Sequence, residues 1–255
     1  MSVVFNTASV CLAMVANSSK RRLVFLGTPS FAASVLNDLF KASQSPAAGF
    51  EVVGVVTRPP NIVPGTSSSD GSKPGGEGKP SAVQLAAETW GLPAVNIFTP
   101  HSAREPEFLS SLTRLDPDLC VTAAYGNMLP QRFLDLPRLG TLNIHPSLLP
   151  KFRGPAPVQR AVLAGVSETG VSLAYTVLRC DAGPVLAQER VQVSSDEAAP
   201  ELTARLFQRG ARLLLQAMPS LLDGSATPAT ATPQDETQAL HAPKVTACAM
   251  QGAPL

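Results

Sequence analysis

The sequence alternates between two hydrophobic patterns along most of its length. Short β-branched apolar runs, RLVFLG at residues 22–27 and EVVGVVT at residues 51–57, predict buried strands. Residues 31–42 between them carry apolar side chains at helical spacing, which predicts a helix joining two parallel strands. Further along, residues 185–193 predict the second strand of an antiparallel hairpin, and residues 198–222 predict a last helix. We therefore predict an α/β fold: a doubly wound, mostly parallel, Rossmann-like sheet with a C-terminal hairpin and helix.

Composition excludes several classes of function. The net charge is only +1, which argues against nucleic-acid binding by bulk charge alone. No apolar run approaches the ~20 residues of a membrane-spanning helix, so no membrane partner is expected. The four cysteines form no Cys-x-x-Cys pair, which indicates reduced thiols and no metal site. Neither a Gly-x-Gly-x-x-Gly loop nor a Walker loop is present, so a dinucleotide or nucleoside-triphosphate site is not expected.

The segment NIHPSLLPKFRG, residues 143–154, has the highest density of candidate chemistry. Asn143 and His145 are two residues apart at the end of a predicted strand, so their side chains share one face. An amide N–H beside an imidazole suits a carbonyl that becomes an oxyanion, and the imidazole can carry a proton. The structural alternative is a turn-closing Asn and a buried His. The prolines at 146 and 150 and the glycine at 154 fix an unusual backbone and favour a functional interpretation.

Two further groups of side chains could join this site. Asp181 is either an ordinary turn residue between hairpin strands or a carboxylate that meets His145 in space and stabilises its charged form. The basic residues around the motif and around the Pro/Gly/Ser-rich loop at 58–79 are either solvated surface or a local attraction for a polyanionic substrate.

These motifs resemble the 10-formyltetrahydrofolate-dependent formyltransferases. The likeness rests on Asn-x-His followed by Ser-Leu-Leu-Pro, and on the later Asp181-Ala182-Gly183. The segments LPKFRGPAPVQ, from residue 149, and QDETQALHAPKVT, from residue 234, resemble the branch of the family that acts on methionyl-tRNA. The resemblance covers about residues 22–246.

The resemblance implies a reaction and a set of site residues. The methionine amine of initiator methionyl-tRNA would attack the formyl carbon of the co-substrate 10-formyltetrahydrofolate, with no metal. Asn143 and protonated His145 would stabilise the oxyanion, and Asp181 would keep His145 charged. The residues implied for the folate site are Ser147, Leu148, Leu149, Pro150, Tyr125, Gly126, Met128 and Leu129. With tRNA as the polyanionic substrate, the basic residues expected to contact it are Arg58, Lys73, Lys79, Lys151 and Arg153.

The chain is predicted to have three parts. Residues 1–21 lack acidic side chains, are rich in Ser and end in arginine, which is typical of a leader for a mitochondrion or plastid; otherwise a cytoplasmic protein is expected. Residues 22–224 form the catalytic domain, and residues 225–255 are expected to be a linker or tail, with the family's C-terminal tRNA-binding domain absent from this sequence. A monomer is expected. Two alternatives stay open: the same chemistry on a small amine such as a glycinamide ribonucleotide, or an inactive folate-binding remnant.

Overall fold

A computed structural model describes residues 20–60 and 78–245 of the chain. The strands are β1 (Arg21–Gly27), β2 (Phe50–Val56), β3 (Ile97–Phe98), β4 (Leu119–Ala123), β5 (Thr141–His145), β6 (Glu168–Tyr175) and β7 (Val185–Gln192). The helices are α1 (Ser30–Ser43), α2 (Ala82–Thr89), α3 (Pro106–Arg114), α4 (Gln131–Leu134), α5 (Pro157–Leu163) and α6 (Ala199–Leu222). Within the described ranges, no helix combines the length and apolar character that crossing a membrane requires.

The strands form one seven-stranded sheet in the order β3-β2-β1-β4-β5-β6-β7. Neighbours from β3 through β5 pair in parallel, whereas β5–β6 and β6–β7 pair antiparallel. This arrangement confirms the predicted doubly wound sheet with a C-terminal hairpin and helix. Because β1 and its two neighbours are parallel and their crossovers wind to opposite sides, loops at the carboxyl ends of the central strands frame a cleft.

Apolar side chains cover both faces of the sheet. On one face Leu142 and Ile144 of β5 join a cluster that includes the apolar side of α6. Because successive strand residues point to opposite faces, Asn143 and His145 face the other way. Helix α6 approaches β5 closely at Gly210, where an added Cβ would lie 2.3 Å from Cγ2 of Ile144. This packing holds the strand that carries the Asn-x-His motif.

Two boundaries differ from the sequence-based prediction. Arg21, assigned to the leader, is the first residue of β1 and pairs with Phe50; residues 1–19 lie outside the described part of the chain. Residues 225–245, assigned to a linker, pack on the domain. The Tyr175 hydroxyl donates to the Ala226 carbonyl at 3.0 Å, and Thr232 bridges to Val185 at the start of β7. The short helix α4 was not predicted, because four residues carry no readable periodicity.

Candidate active site

The site is built where the parallel strands β4 and β5 end side by side. Thr122 of β4 lies opposite Asn143 of β5 in the strand register. The Thr122 hydroxyl donates to Oδ1 of Asn143 at 2.8 Å, while Nδ2 of Asn143 donates to Oδ1 of Asp181 at 3.2 Å. These two bonds orient the amide, so that its N–H groups face Asp181 and the cleft.

His145 lies next to this amide with only 4% of its side chain exposed. Nε2 of the ring is 2.9 Å from the carbonyl oxygen of Phe152, and Nδ1 is 3.7 Å from Oδ1 of Asp181. A carbonyl only accepts, so Nε2 carries the proton in this contact. Nδ1 is therefore the nitrogen that can gain or lose a proton, and a ring protonated there would lie between a carbonyl and a carboxylate.

Asp181 comes from the loop between β6 and β7. Its Oδ2 accepts from the Gly154 backbone N–H at 2.8 Å, so this carboxylate joins the hairpin to the loop after β5. The glycine of the Asp-x-Gly motif leaves no room for a side chain, because a Cβ on Gly183 would lie 1.7 Å from the Tyr175 carbonyl oxygen. The neighbouring thiol of Cys180 contacts Oδ2 of Asp181 at 3.4 Å. Burial, together with the Asp181 carboxylate, raises the pKa of Cys180 to about 11, so the thiol stays neutral.

Asn143, His145 and Asp181 open into a cleft of about 510 Å³. Four residues of the predicted folate set, Tyr125, Gly126, Met128 and Leu129, line this cleft. Burial raises the pKa of the Tyr125 hydroxyl, which keeps it neutral. A mostly apolar wall with a few polar groups, at this volume, is typical of a small-molecule site.

The other half of the predicted folate set does not line the cleft. Ser147 is fully buried; its hydroxyl donates to the Lys151 carbonyl at 2.6 Å, and its own carbonyl accepts from the Ser172 hydroxyl at 2.6 Å. Leu149 packs in a small apolar cluster behind the site, while Leu148 and Pro150 are part of the same turn and are absent from the cleft wall. The structure therefore does not place Ser147, Leu148, Leu149 and Pro150 in the cleft wall. The hydrogen bonds of Ser147 and the packing of Leu149 instead hold the loop that carries Phe152 and Gly154.

The predicted tRNA residues separate into three groups. Arg153 is only 1% exposed, and four of its five guanidinium N–H groups donate to Gln234 and Glu236, so the prediction that it contacts tRNA is wrong. Arg58, Lys79 and Lys151 are exposed. Arg58 lies at the cleft mouth, where its side chain would be 3.6 Å from a Cβ on Gly126. Lys73 lies outside the described residues.

Several cleft residues were not predicted. Thr122 orients Asn143, but sequence shows no strand register, so nothing marked it. Phe31 and Phe207 stack with ring centroids 4.5 Å apart and form part of the wall. Phe31 follows the end of β1, a position that the predicted topology could have flagged. In the part of the chain that the structure describes, no cluster of three or more side chains could hold a metal ion.

The chain is similar to known proteins in both sequence and structure. A methionyl-tRNA formyltransferase from Kosmotoga olearia is 38% identical over 228 residues, covering 88% of this chain and 66% of the relative. One from Chloroflexus aggregans is 40% identical over 221 residues, covering 86% of this chain and 64% of the relative. The chain thus spans just under two thirds of the length of these relatives.

Solved structures agree on the fold. A phosphoribosylglycinamide formyltransferase from Brucella melitensis matches with a TM-score of 0.62 and 27% identity, covering 80% of this chain and 96% of that chain. One from Anaplasma phagocytophilum has a TM-score of 0.64 and 23% identity over 89% of this chain and 100% of that chain; this likeness shows the fold alone. The family model for formyl transferases matches residues 21–218. This match covers well over half of the chain, which therefore belongs to the formyl transferase family.

Proposed function

We propose that this domain transfers a formyl group from 10-formyltetrahydrofolate to the methionine amine of initiator methionyl-tRNA. The observation that carries the proposal is the meeting of Asn143, His145 and Asp181 in the wall of a mostly apolar cleft. An amide donor, an imidazole and a carboxylate are the groups that acyl transfer to an amine requires.

Asn143 supplies the electrostatic part of this chemistry. One N–H of its amide is engaged by Asp181, and the Thr122 hydroxyl fixes the oxygen end. The second N–H has no partner among residues 20–60 and 78–245, and it can donate to the formyl oxygen as that oxygen becomes negative. Since the amide is oriented before substrate binds, no reorganisation is needed when the charge develops.

His145 and Asp181 supply the charge and proton-transfer part. Protonation of Nδ1 gives an imidazolium that Asp181 faces at 3.7 Å, and the Phe152 carbonyl accepts from Nε2 at 2.9 Å. A cation in this buried position stabilises a developing oxyanion more strongly than it would in water. Asp181 is a carboxylate that lines the cleft, and it can accept the proton that the attacking amine must lose. The proton on His145 can pass to the folate nitrogen as the bond between that nitrogen and the formyl carbon breaks, so that tetrahydrofolate leaves and the formyl group stays on the amine.

The cleft also suits the folate donor. When bound, the donor supplies an activated formyl group carried on the nitrogen that links the pterin to the benzoyl ring. Tyr125, Met128 and Leu129 line the apolar wall on which a pterin ring would pack. The side chain of Arg58 lies beside Gly126, a residue of the cleft wall, so a cation is close to the cleft.

The choice of methionyl-tRNA as acceptor is supported by the relatives, whose names describe formyl transfer to methionyl-tRNA at 38% and 40% identity. Exposed Arg58, Lys79 and Lys151 offer cations to a polyanion without a large net charge. A small amine is the competing acceptor, since a neighbour at 27% identity acts on phosphoribosylglycinamide.

The direct test is transfer of labelled formyl from 10-formyltetrahydrofolate to two acceptors, initiator methionyl-tRNA and glycinamide ribonucleotide. We expect transfer to methionyl-tRNA and its loss in His145→Ala. Transfer to glycinamide ribonucleotide alone would replace the proposed acceptor with a small amine. Folate binding without transfer to either acceptor would mean that this chain is an inactive remnant.

We further propose that the protein works in a mitochondrion or plastid. Residues 1–21 support this proposal by their lack of acidic side chains and their Ser-rich composition. A fluorescent protein fused after residue 30 tests it by microscopy. Uniform cytoplasmic fluorescence would contradict it, and the compartment in which the signal collects would identify the organelle.

A further inference from the structure

A C-terminal segment lies directly against the loop that carries the site. We call residues 234–242 the strap. The Leu240 N–H donates to the Pro150 carbonyl at 3.2 Å, and the Arg153 N–H donates to the Leu240 carbonyl at 2.8 Å. The Ala242 N–H then donates to the Arg153 carbonyl at 2.6 Å. The strap therefore holds the loop whose Phe152 carbonyl contacts His145 and whose Gly154 N–H contacts Asp181.

A buried arginine fixes one end of the strap. Nε and Nη2 of Arg153 donate to Oε1 of Gln234 at 2.9 and 2.7 Å. Nη1 and Nη2 also donate to the two carboxylate oxygens of Glu236, both at 3.0 Å. Since both donors that reach Gln234 come from a guanidinium, they can bind only its oxygen, and the amide nitrogen must point away from Arg153.

The amide nitrogen of Gln234 points at the Asp181 loop. Nε2 donates to the carbonyl of Asp181 at 2.8 Å and to the carbonyl of Gly183 at 2.7 Å. Asp181 itself has φ +49°, in the left-handed region that residues with a side chain adopt less readily than glycine does. Gln234 thus holds the backbone of the residue whose carboxylate faces His145, although Gln234 does not line the cleft.

We propose that Gln234 is a positioning residue for Asp181 in the reaction proposed above, and that Arg153 orients Gln234 for this role. The inference rests on the proposed function. Under this proposal the buried Arg153 acts by orienting Gln234 and does not contact tRNA. The strap then contributes to the geometry of the active site. The amide nitrogen of Gln234 carries two N–H donors, and its orientation by Arg153 directs both of them to the carbonyls of Asp181 and Gly183.

Gln234→Glu in the full chain tests the inference. The substitution keeps the acceptor for Arg153 but replaces the two donors with an oxygen that faces two carbonyls. Gln238→Glu is the matched control: it makes the same chemical change in the strap, at an exposed residue whose side-chain amide donates, among the described residues, only to Asp235.

We expect kcat of Gln234→Glu to fall by about 100-fold, the scale of a misplaced catalytic group, with the KM of donor and acceptor unchanged. Gln238→Glu should keep the wild-type kcat. An unchanged kcat in a folded Gln234→Glu would overturn the inference, as would an equal loss in both variants. If Gln234→Glu shows no cooperative thermal transition, Gln234→Met, which adds no charge, takes its place with the same outcomes.

A second measurement separates this inference from the proposed function. Hydrogen exchange of the Gly154 amide, which Asp181 protects, should speed up in Gln234→Glu and not in Gln238→Glu. This readout needs no activity. A wild type that transfers no formyl would therefore refute only the proposed function, whereas unchanged Gly154 exchange would refute the positioning role.

Discussion

Replacing Thr122 with valine tests how the site orients Asn143. The substitution keeps the shape of the side chain and removes the hydroxyl that donates to Oδ1 of Asn143 at 2.8 Å. Thr122 is only 7% exposed, so water does not freely replace the lost bond. A buried hydrogen bond contributes about 0.5–1.5 kcal/mol net. In a domain of this size, a loss of 1 kcal/mol lowers the Tm by about 2–4 °C.

The same bond has a kinetic consequence. Without Thr122, only the contact with Asp181 at 3.2 Å orients the Asn143 amide. If the productive orientation loses about 1 kcal/mol relative to the others, kcat falls by about fivefold. We expect Thr122→Val to lower kcat by about 5–10-fold with little change in the KM of either substrate.

Thr169 on strand β6 provides a matched control. Thr169 of β6 is 3% exposed, and its hydroxyl has no hydrogen-bond partner among the described residues. Thr169→Val should therefore leave the free energy of unfolding unchanged or raise it by up to about 1 kcal/mol, with normal kcat. The assays are thermal unfolding and formyl transfer under saturating substrate. Equal Tm and kcat for the two variants would refute the orienting role of Thr122.

Three other outcomes follow from single contacts. Gly183→Ala should lower the free energy of unfolding by at least about 3 kcal/mol in denaturant titration, because the new Cβ would lie 1.7 Å from the Tyr175 carbonyl; a wild-type midpoint would contradict this. Lys151→Ala should reduce the slope of log affinity for tRNA against log salt by about 1 in filter binding, with an unchanged Tm; an unchanged slope would remove Lys151 from the interface. Hydrogen bonds from Arg153, and then from Arg179, lower the pKa of Glu236 to about 2. The stability that the Glu236 carboxylate contributes is therefore present above its ordinary pKa and is lost as pH falls toward 2. Glu236→Gln should therefore weaken the fall in Tm between about pH 5 and pH 3, whereas a fall as steep as that of the wild type would contradict this ion pair.

The fold was predictable because its signals are local. Each predicted strand and helix rests on periodicity within one short segment, and parallel strands joined by helices leave few possible sheets. Asn143 and His145 were recognisable for the same reason: they are two residues apart on one strand, so their shared face follows from backbone geometry. The contact between Asp181 and His145, at 3.7 Å, required the resemblance to the family as well.

The errors arise where partners are distant along the chain. Arg153 close to Lys151 is typical of a basic surface, because nothing nearby in the sequence shows that Gln234 and Glu236, more than 80 residues away, accept hydrogen bonds from its guanidinium. Residues 225–245 have no hydrophobic period, yet backbone and side-chain hydrogen bonds attach them to the domain. Ser147 was assigned to the folate site from its place in a motif, and its hydroxyl instead closes a turn.

The most direct test of the central proposal is the turnover of Asn143→Ala in formyl transfer from 10-formyltetrahydrofolate to initiator methionyl-tRNA. Removing an oxyanion donor costs about 10²–10³-fold in kcat, and we expect a loss of this size with a wild-type fold. Near-normal turnover in Asn143→Ala would contradict the assignment of the Asn143, His145 and Asp181 site as the centre of the reaction.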